Sequence, residues 1–408
     1  MNKNKIKAKF AWRFGKQEEK YVKEVLKSGF ASSTSGNMNT RLEESFAKIH
    51  NQKFAITFNS GTTTLHASLE ALGVGYGDEV LVTPLTVISC MNSILYCNAI
   101  PVFVDVDPET FLMDPEDLKR KITTKTKGIM AVHLYGQVCN MTEILKIAKK
   151  NKLFLLEDCA QCFLGKHNNI LSGTFGDVAS WSFENSKHMT TGDGGIITTN
   201  NENLGDKIRK YSTQGFRNAT AKSGKIRISK DIFQNPNYSR HSQFGYMYRL
   251  PEVAAAIGLA QLEKLDKFVN KRIKMAKMYN KVINDLKCDW IKPQLVPKND
   301  INSYYTYAFR LINAEIKWSD FRKKYVEYGG DGIYAAWKLC YLEDSISDIM
   351  GRLEKIRLNK FFKIEKGICP VAEKIQPQIM QLTTNQNKID EMKKQADCLY
   401  KTIKYFNG

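Results

Sequence analysis

Three short stretches of this 408-residue chain carry side chains that could do chemistry together. The first, SFENSKHMTTGDGG (182–195), sets Lys187 in a polar segment that ends in glycines. A lysine amine held by its surroundings is a nucleophile toward carbonyls and a proton carrier. Its neighbour His188 is either a base or a bystander. The second, LLEDCAQ (155–161), ends an apolar run with Glu157 and Asp158. A carboxylate at the carboxyl end of a parallel strand lies where open α/β sheets bind ligands. An aspartate that merely caps the next helix gives the same sequence, and for this stretch alone that reading is the stronger. The third, FNSGTTTLHASLEAL (58–72), ends a strand at Phe58, turns at Ser60-Gly61-Thr62 and starts a helix. Helix-start N–H groups beside a glycine suit a phosphate, although Ser-Gly-Thr is also an ordinary N-cap.

The elements between these stretches decide whether they meet. Seven short apolar runs are predicted strands: FAITF (54–58), EVLVTP (79–84), IPVFVDV (100–106), GIMAVHL (128–134), LFLLED (153–158), VASWSF (178–183) and GIITT (195–199). Amphipathic stretches such as MTEILKIAKKN separate several of them. Apolar strands alternating with such helices predict an α/β fold with a mostly parallel seven-stranded sheet, covered on both faces. The last two runs lie too close for a helical crossover, so one strand is expected to be antiparallel. PEVAAAIGLAQLEKLDKFVNKRIKMAKMYNKV (251–282) reads as one long helix with Pro251 at its first position. Strand-like YTYAFRLI and further helices follow. The division expected is a large domain, 1–262, and a smaller α+β domain, 263–408. Segment 214–245 is polar, basic and weakly periodic, a long loop of the kind that often serves function.

On one sheet edge, a phosphate anchor, a buried aspartate and a lysine match the needs of pyridoxal 5'-phosphate. The lysine bonds its aldehyde, and the aspartate keeps its ring nitrogen protonated so that the ring can accept electrons. The freed lysine can then carry a proton between carbon centres.

Composition narrows the other classes. The formal net charge is +19. Its lysines are scattered, however, and no zinc-finger spacing, RNP-type strand or basic heptad helix accompanies them, so neither nucleic acid nor a membrane is the expected partner. The densest basic stretch, AKSGKIRISK (221–230), could attract an anionic small molecule or be a solvated face. MNKNKIKAKF has no apolar core of a signal peptide, and no run is long enough to span a bilayer. Nine cysteines without a framework fit a reducing cytoplasm. The Cys159–Cys162 pair lacks the partners of a zinc site, and no metal is expected.

The chain resembles the DegT/DnrJ/StrS family of pyridoxal-phosphate sugar aminotransferases. The likeness runs through LKSGFASSTSG (26–36), NSGTTTLHASL (59–69), IPVFVDVD (100–107), HLYGQ (133–137), EDCAQ (157–161), SFENSK…TGDGG (182–195), YRLPEVAAAIGLAQLEKLD (248–266) and CPVAEKI (369–375). It implies a fold-type-I homodimer with active sites at the subunit interface, using glutamate and a keto sugar, typically nucleotide-linked. By position it makes Lys187 the catalytic, cofactor-bonding lysine and Asp158 the partner of the pyridine nitrogen. Gln161 would contact the ring hydroxyl, while Gly61, Thr62 and Ser182 would hold the phosphate.

Several positions depart from the family pattern. An aromatic residue usually stacks on the cofactor ring where VTPLTVIS has Val87; an aliphatic side chain can pack there without the stacking contribution. The family's G-x-N-x-R becomes Gly245-Tyr246-Met247-Tyr248-Arg249, and Met247 cannot replace an amide donor to the neighbour's phosphate. The P-L-H-x-Q stretch appears as GIYAAWKLCYLE (332–343), with Lys338 near the missing histidine. Asp193 replaces a glutamate. Alternatives implied by the same likeness are a sugar dehydratase, which has histidine in place of the lysine, a keto-cyclitol aminotransferase, and a cofactor-binding regulator without turnover. Five positions from Ser182 to Lys187 and five from Lys187 to Gly192 match the aminotransferase register and leave His188 one position late.

Overall fold

A computed structural model describes residues 11–408 of the chain; the amino-terminal stretch read above for a leader lies outside the described residues. The first part carries helices α1 (Lys16–Lys27), α2 (Met38–Ile49), α3 (Gly61–Ala71), α4 (Ser89–Tyr96), α5 (Pro115–Lys121), α6 (Met141–Asn151) and α7 (Glu202–Ser212). Its strands are β1 (Phe54–Phe58), β2 (Glu79–Val82), β3 (Ile100–Phe103), β4 (Thr126–Val132), β5 (Phe154–Asp158), a small hairpin β6 (Lys166–His167) and β7 (Ile170–Leu171), then β8 (Val178–Ser182) and β9 (Gly195–Thr199). Seven of these form one sheet in the order β1-β9-β8-β5-β4-β2-β3. All seven predicted runs are therefore strands of one sheet. Strand β9 runs antiparallel to both neighbours, whereas β8, β5, β4, β2 and β3 pair in parallel. Strands β1, β8 and β9 are buried along their whole length, as expected of a sheet covered on both faces, where apolar runs need not alternate.

Register places the chemistry. Gly195 pairs with Phe58 on one side and with Ser182 on the other. One strand further, Asp158 pairs with Ser180. The Ser60 turn, Ser182, the end of the lysine loop and Asp158 thus share one edge of the sheet.

Segment 214–245 is mostly irregular, with the short helix α8 (Lys230–Gln234) inside it. The expected single helix over 251–282 is instead two, α9 (Glu252–Leu262) and α10 (Leu265–Asp285), and Pro251 is the N-cap residue rather than the first helical one. Tertiary contacts cause the break. Tyr21 of α1 donates to Glu263 at 2.6 Å, and Lys264 reaches the carbonyl of Arg13 at 2.9 Å and the carboxylate of Glu18. Lys264 itself leaves helical geometry (φ −113°, ψ 5°).

Beyond the break, β10 (Ile291–Pro293), β11 (Tyr307–Leu311), β12 (Ile333–Ala335) and β13 (Ile379–Leu382) form an antiparallel sheet in the order β10-β11-β13-β12. This sheet packs with α10 and the helix Ile389–Asn407 around Tyr279, Tyr307, Phe309 and Phe321. The stretch from Ala336 to Ile375 returns to the core of the large sheet through Leu339, Tyr341, Leu353 and Ala372. That return sets a piece of the carboxyl-terminal half beside the sheet edge.

Candidate active site

The sheet edge opens into a cavity of about 460 Å³. All seven residues singled out above line it: Gly61, Thr62, Val87, Asp158, Gln161, Ser182 and Lys187. A second cavity of about 430 Å³ adjoins it, sharing Thr86, Val87, Gln161, Ser186, Tyr305 and Trp337.

At the first wall, helix α3 starts against the end of β8. Ser60 caps it, its Oγ accepting from the Thr63 amide at 3.2 Å. The first-turn amides have no intrahelical acceptor and face the same wall as the Thr62 hydroxyl, which lies 2.9 Å from Ser89 Oγ. A Cβ on Gly61 would lie 2.7 Å from Ser182 Cβ and 3.0 Å from Ser182 Oγ. Only glycine lets the helix start approach the serine so closely, which makes a cradle for an anion.

At the second wall, Asp158 is buried with both oxygens oriented. One accepts from the Ala160 amide at 2.9 Å, and the other accepts from the Cys90 thiol at 3.1 Å. Burial, then the Asp158 charge, pushes the Cys90 thiol well above its usual range, so it stays a neutral donor. Gln161 Oε1 accepts from the Tyr135 amide at 2.9 Å, which commits its oxygen and leaves the amide nitrogen as the free end. Glu157, next to Asp158, does not line the cavity. Its carboxylate accepts from the amides of Gly173, Phe175 and Gly176 and from His133 Nε2 at 2.7–3.0 Å. The Cys139 amide donates to His133 Nδ1 at 3.2 Å, so the ring proton sits on Nε2. His133, Glu157 and Cys159 also come close enough to share a metal ion, but the carboxylate and imidazole are already committed within the protein.

Lys187 is buried, with its Nζ 4.7 Å from the centre of the Tyr305 ring. Two buried guanidiniums hold its loop by carbonyl oxygens. Arg13 donates to Asn185, Lys187 and His188 at 2.8, 2.7 and 3.0 Å. Arg272 donates to Tyr305 and Ser186 at 2.6 and 3.4 Å. Burial depresses both, Arg13 to about 10 and Arg272 to about 9, values that keep each charged near neutral pH. His188 faces away from the cavity. Its Nε2 donates to the Ser303 carbonyl at 3.0 Å. Burial first, then Arg272, holds it well below the usual imidazole range and therefore neutral. Of the two roles open to it in the sequence, base or bystander, His188 takes the second, a packing role.

Sequence reading missed Arg13, Arg272, Tyr305, Ser89, Cys90 and Trp337. They come from distant segments whose local patterns carry no mark of a site. Met247 is half exposed, and no residue of 214–245 lines either cavity of the single chain. Lys338 lies outside both, paired with Asp344 at 2.8 Å. Among the described residues, no helix is long and apolar enough to cross a membrane.

The donor set fits pyridoxal phosphate on structural grounds: an anion cradle that a Cβ would fill, an oriented carboxylate, an amide donor and an amine in one cavity. Known proteins agree. Residues 13–329 match the DegT/DnrJ/EryC1/StrS aminotransferase family. A GDP-perosamine synthase of Escherichia coli O157:H7 is 41% identical over 299 residues, 73% of this chain and 76% of that protein. A second, from Caulobacter vibrioides, is 38% identical over 302 residues, 73% and 76% of the two chains. The crystal structure of an aminotransferase from Psychrobacter cryohalolentis superimposes with a TM-score of 0.85 at 27% identity, covering 97% of this chain and 98% of that one. A buried lysine, a carboxylate and an anion cradle on one edge of this fold, in a chain so related, have one explanation: the protein belongs to the DegT/DnrJ/EryC1/StrS family and is a pyridoxal-phosphate-dependent sugar aminotransferase.

Proposed function

We propose that the chain moves an amino group from glutamate to a keto sugar carried on a nucleoside diphosphate, with Lys187 as its catalytic residue. The observation that carries this reading is the convergence of Lys187, Asp158, Gln161, Ser182 and Gly61 on one cavity that opens into a second of about 430 Å³. The names of the curated relatives point to GDP as the nucleotide. When bound, the cofactor supplies an electron sink for the substrate carbon. The residues do the rest. The α3 start, Thr62 and Ser182 would hold the phosphate, and Asp158 would keep a proton on the ring nitrogen. The Gln161 amide would donate to the ring hydroxyl, and Val87 would pack on the ring. Lys187 Nζ takes a proton from the amino-bearing carbon of the donor and returns one to the sugar carbon.

We assign the protein to the cytoplasm and to a homodimer in which the basic loop 214–245 reaches the neighbour's site. Its absence from the single chain's cavities supports that reading. The division into domains 1–262 and 263–408 is supported by the break at Glu263–Lys264. The test is a panel of nucleotide-linked keto sugars and keto-cyclitols with glutamate as donor. Loss of visible cofactor absorbance on adding glutamate, and its return with a GDP-linked ketone, is expected. A cofactor that glutamate never bleaches would favour the regulator, and a preference for cyclitols would reassign the acceptor.

A further inference from the structure

Position 87 lacks the aromatic side chain that the family pattern places on the cofactor ring, yet an aromatic stands beside it. Trp337 shares the lining of the 460 Å³ cavity with Val87 and Thr86, and shares the adjoining 430 Å³ cavity with them too. Its other flank meets a third space of about 270 Å³ between Thr86, Ile88 and Cys340. The indole is thus a partition between cavities, and it is 58% exposed.

The backbone around Trp337 is anchored. The Ala336 amide donates to Ile379 and its carbonyl accepts from Gln376 Nε2, both at 3.1 Å. Three residues later the Cys340 amide donates to Pro84 at 3.1 Å, and its thiol lies 3.6 Å from the Thr86 carbonyl. The backbone before the indole is thus tied to Gln376 and Ile379, and the backbone after it to residues 84–86. The backbone that carries Trp337 is therefore held next to the turn that carries Val87.

We infer that Trp337 supplies the aromatic wall that position 87 lacks, so that the cofactor ring is covered by Val87 and an indole contributed from the carboxyl-terminal half. This rests on the reading of the cavity as the cofactor's site. The arrangement makes a specific prediction about the pair. A phenylalanine at 87 crowds the indole when Trp337 is present and fills its place when Trp337 is absent.

The experiment measures cofactor affinity by visible absorbance in wild type, Trp337→Phe, Trp337→Ala, Val87→Phe and the Val87→Phe/Trp337→Ala double variant. Tryptophan emission and thermal melting are recorded alongside. Aromatic contacts of this kind are worth about two- to tenfold in a dissociation constant. Trp337→Ala should weaken cofactor binding about five- to tenfold at unchanged melting of the cofactor-free protein. Trp337→Phe should stay within about twofold but lose part of the emission quenching that follows cofactor loading. The double variant should bind better than either Trp337→Ala or Val87→Phe. Unchanged cofactor affinity in Trp337→Ala overturns the inference. So does a double variant no better than its parents, or an effect confined to the KM of the sugar. Failure of the wild type to bind the cofactor at Lys187 would instead sink the functional reading, which separates the two.

Discussion

Replacing Gly61 by alanine tests the cradle at a single atom. The new Cβ would stand 2.7 Å from Ser182 Cβ and 3.0 Å from its Oγ. Carbon atoms settle about 3.5–4.0 Å apart, so the helix start must retreat from the strand end by most of an ångström. The Ser182 hydroxyl can rotate, but its Cβ and, at 3.3 Å, its Cα are fixed to the backbone and cannot swing aside. Overpacking of this kind costs about 1–3 kcal/mol. Alanine's better helix propensity returns at most about 1 kcal/mol. The net is a loss of about 1–2 kcal/mol, concentrated where the phosphate must sit between the α3 amides and Ser182. At about 1.4 kcal/mol per factor of ten, cofactor affinity should fall roughly tenfold. The assay is titration of the cofactor-free enzyme with pyridoxal phosphate, followed by visible absorbance. Gly75→Ala is the control, because a Cβ there meets nothing within 4 Å. Equal affinity in Gly61→Ala and wild type, or equal losses in both variants, would refute the cradle.

Two further predictions concern what holds the edge together. Glu157→Gln places an amide NH₂ among four donors that a carboxylate now satisfies. It should cost about 3 kcal/mol in urea unfolding, since bonds to a charged acceptor are worth about 1.5–3 kcal/mol each; a loss under 1 kcal/mol would contradict the network. The buried His50, stacked on Phe46 at 4.1 Å, is depressed by burial to about 4 from an ordinary value of 6.5. The unfolded chain therefore takes the proton first. Stability present above about pH 6.5 is lost as the pH falls toward 4, by about 2 kcal/mol between pH 7.5 and 5 from this group. His188 adds loss of the same sign. His50→Phe should flatten the acid limb of stability against pH by about that amount, and an unchanged limb would disprove the assignment.

The sheet was legible because its strands are buried on both faces and so read as unbroken apolar runs, FAITF and GIITT to the residue. Lys187 and Asp158 were legible because they end or follow such runs at one edge. The two-helix break at Glu263–Lys264 was not, because bonds from α1, 242 residues away in sequence, override a continuous helical pattern. Glu157 looked as available as Asp158, and only the fold reveals which carboxylate the backbone amides consume. Arg13 sits in AWRFG, a stretch with no local signal; its role arises from three carbonyls across the molecule. Trp337 was hidden in a segment noted for a missing histidine.

The most direct test of the central claim is borohydride reduction of the cofactor-loaded enzyme followed by peptide mapping. The reduced cofactor should be found on Lys187, in the SFENSKHM stretch, and Lys187→Ala should give no labelled peptide. Label on any other lysine, or on Lys187→Ala protein, would contradict the account.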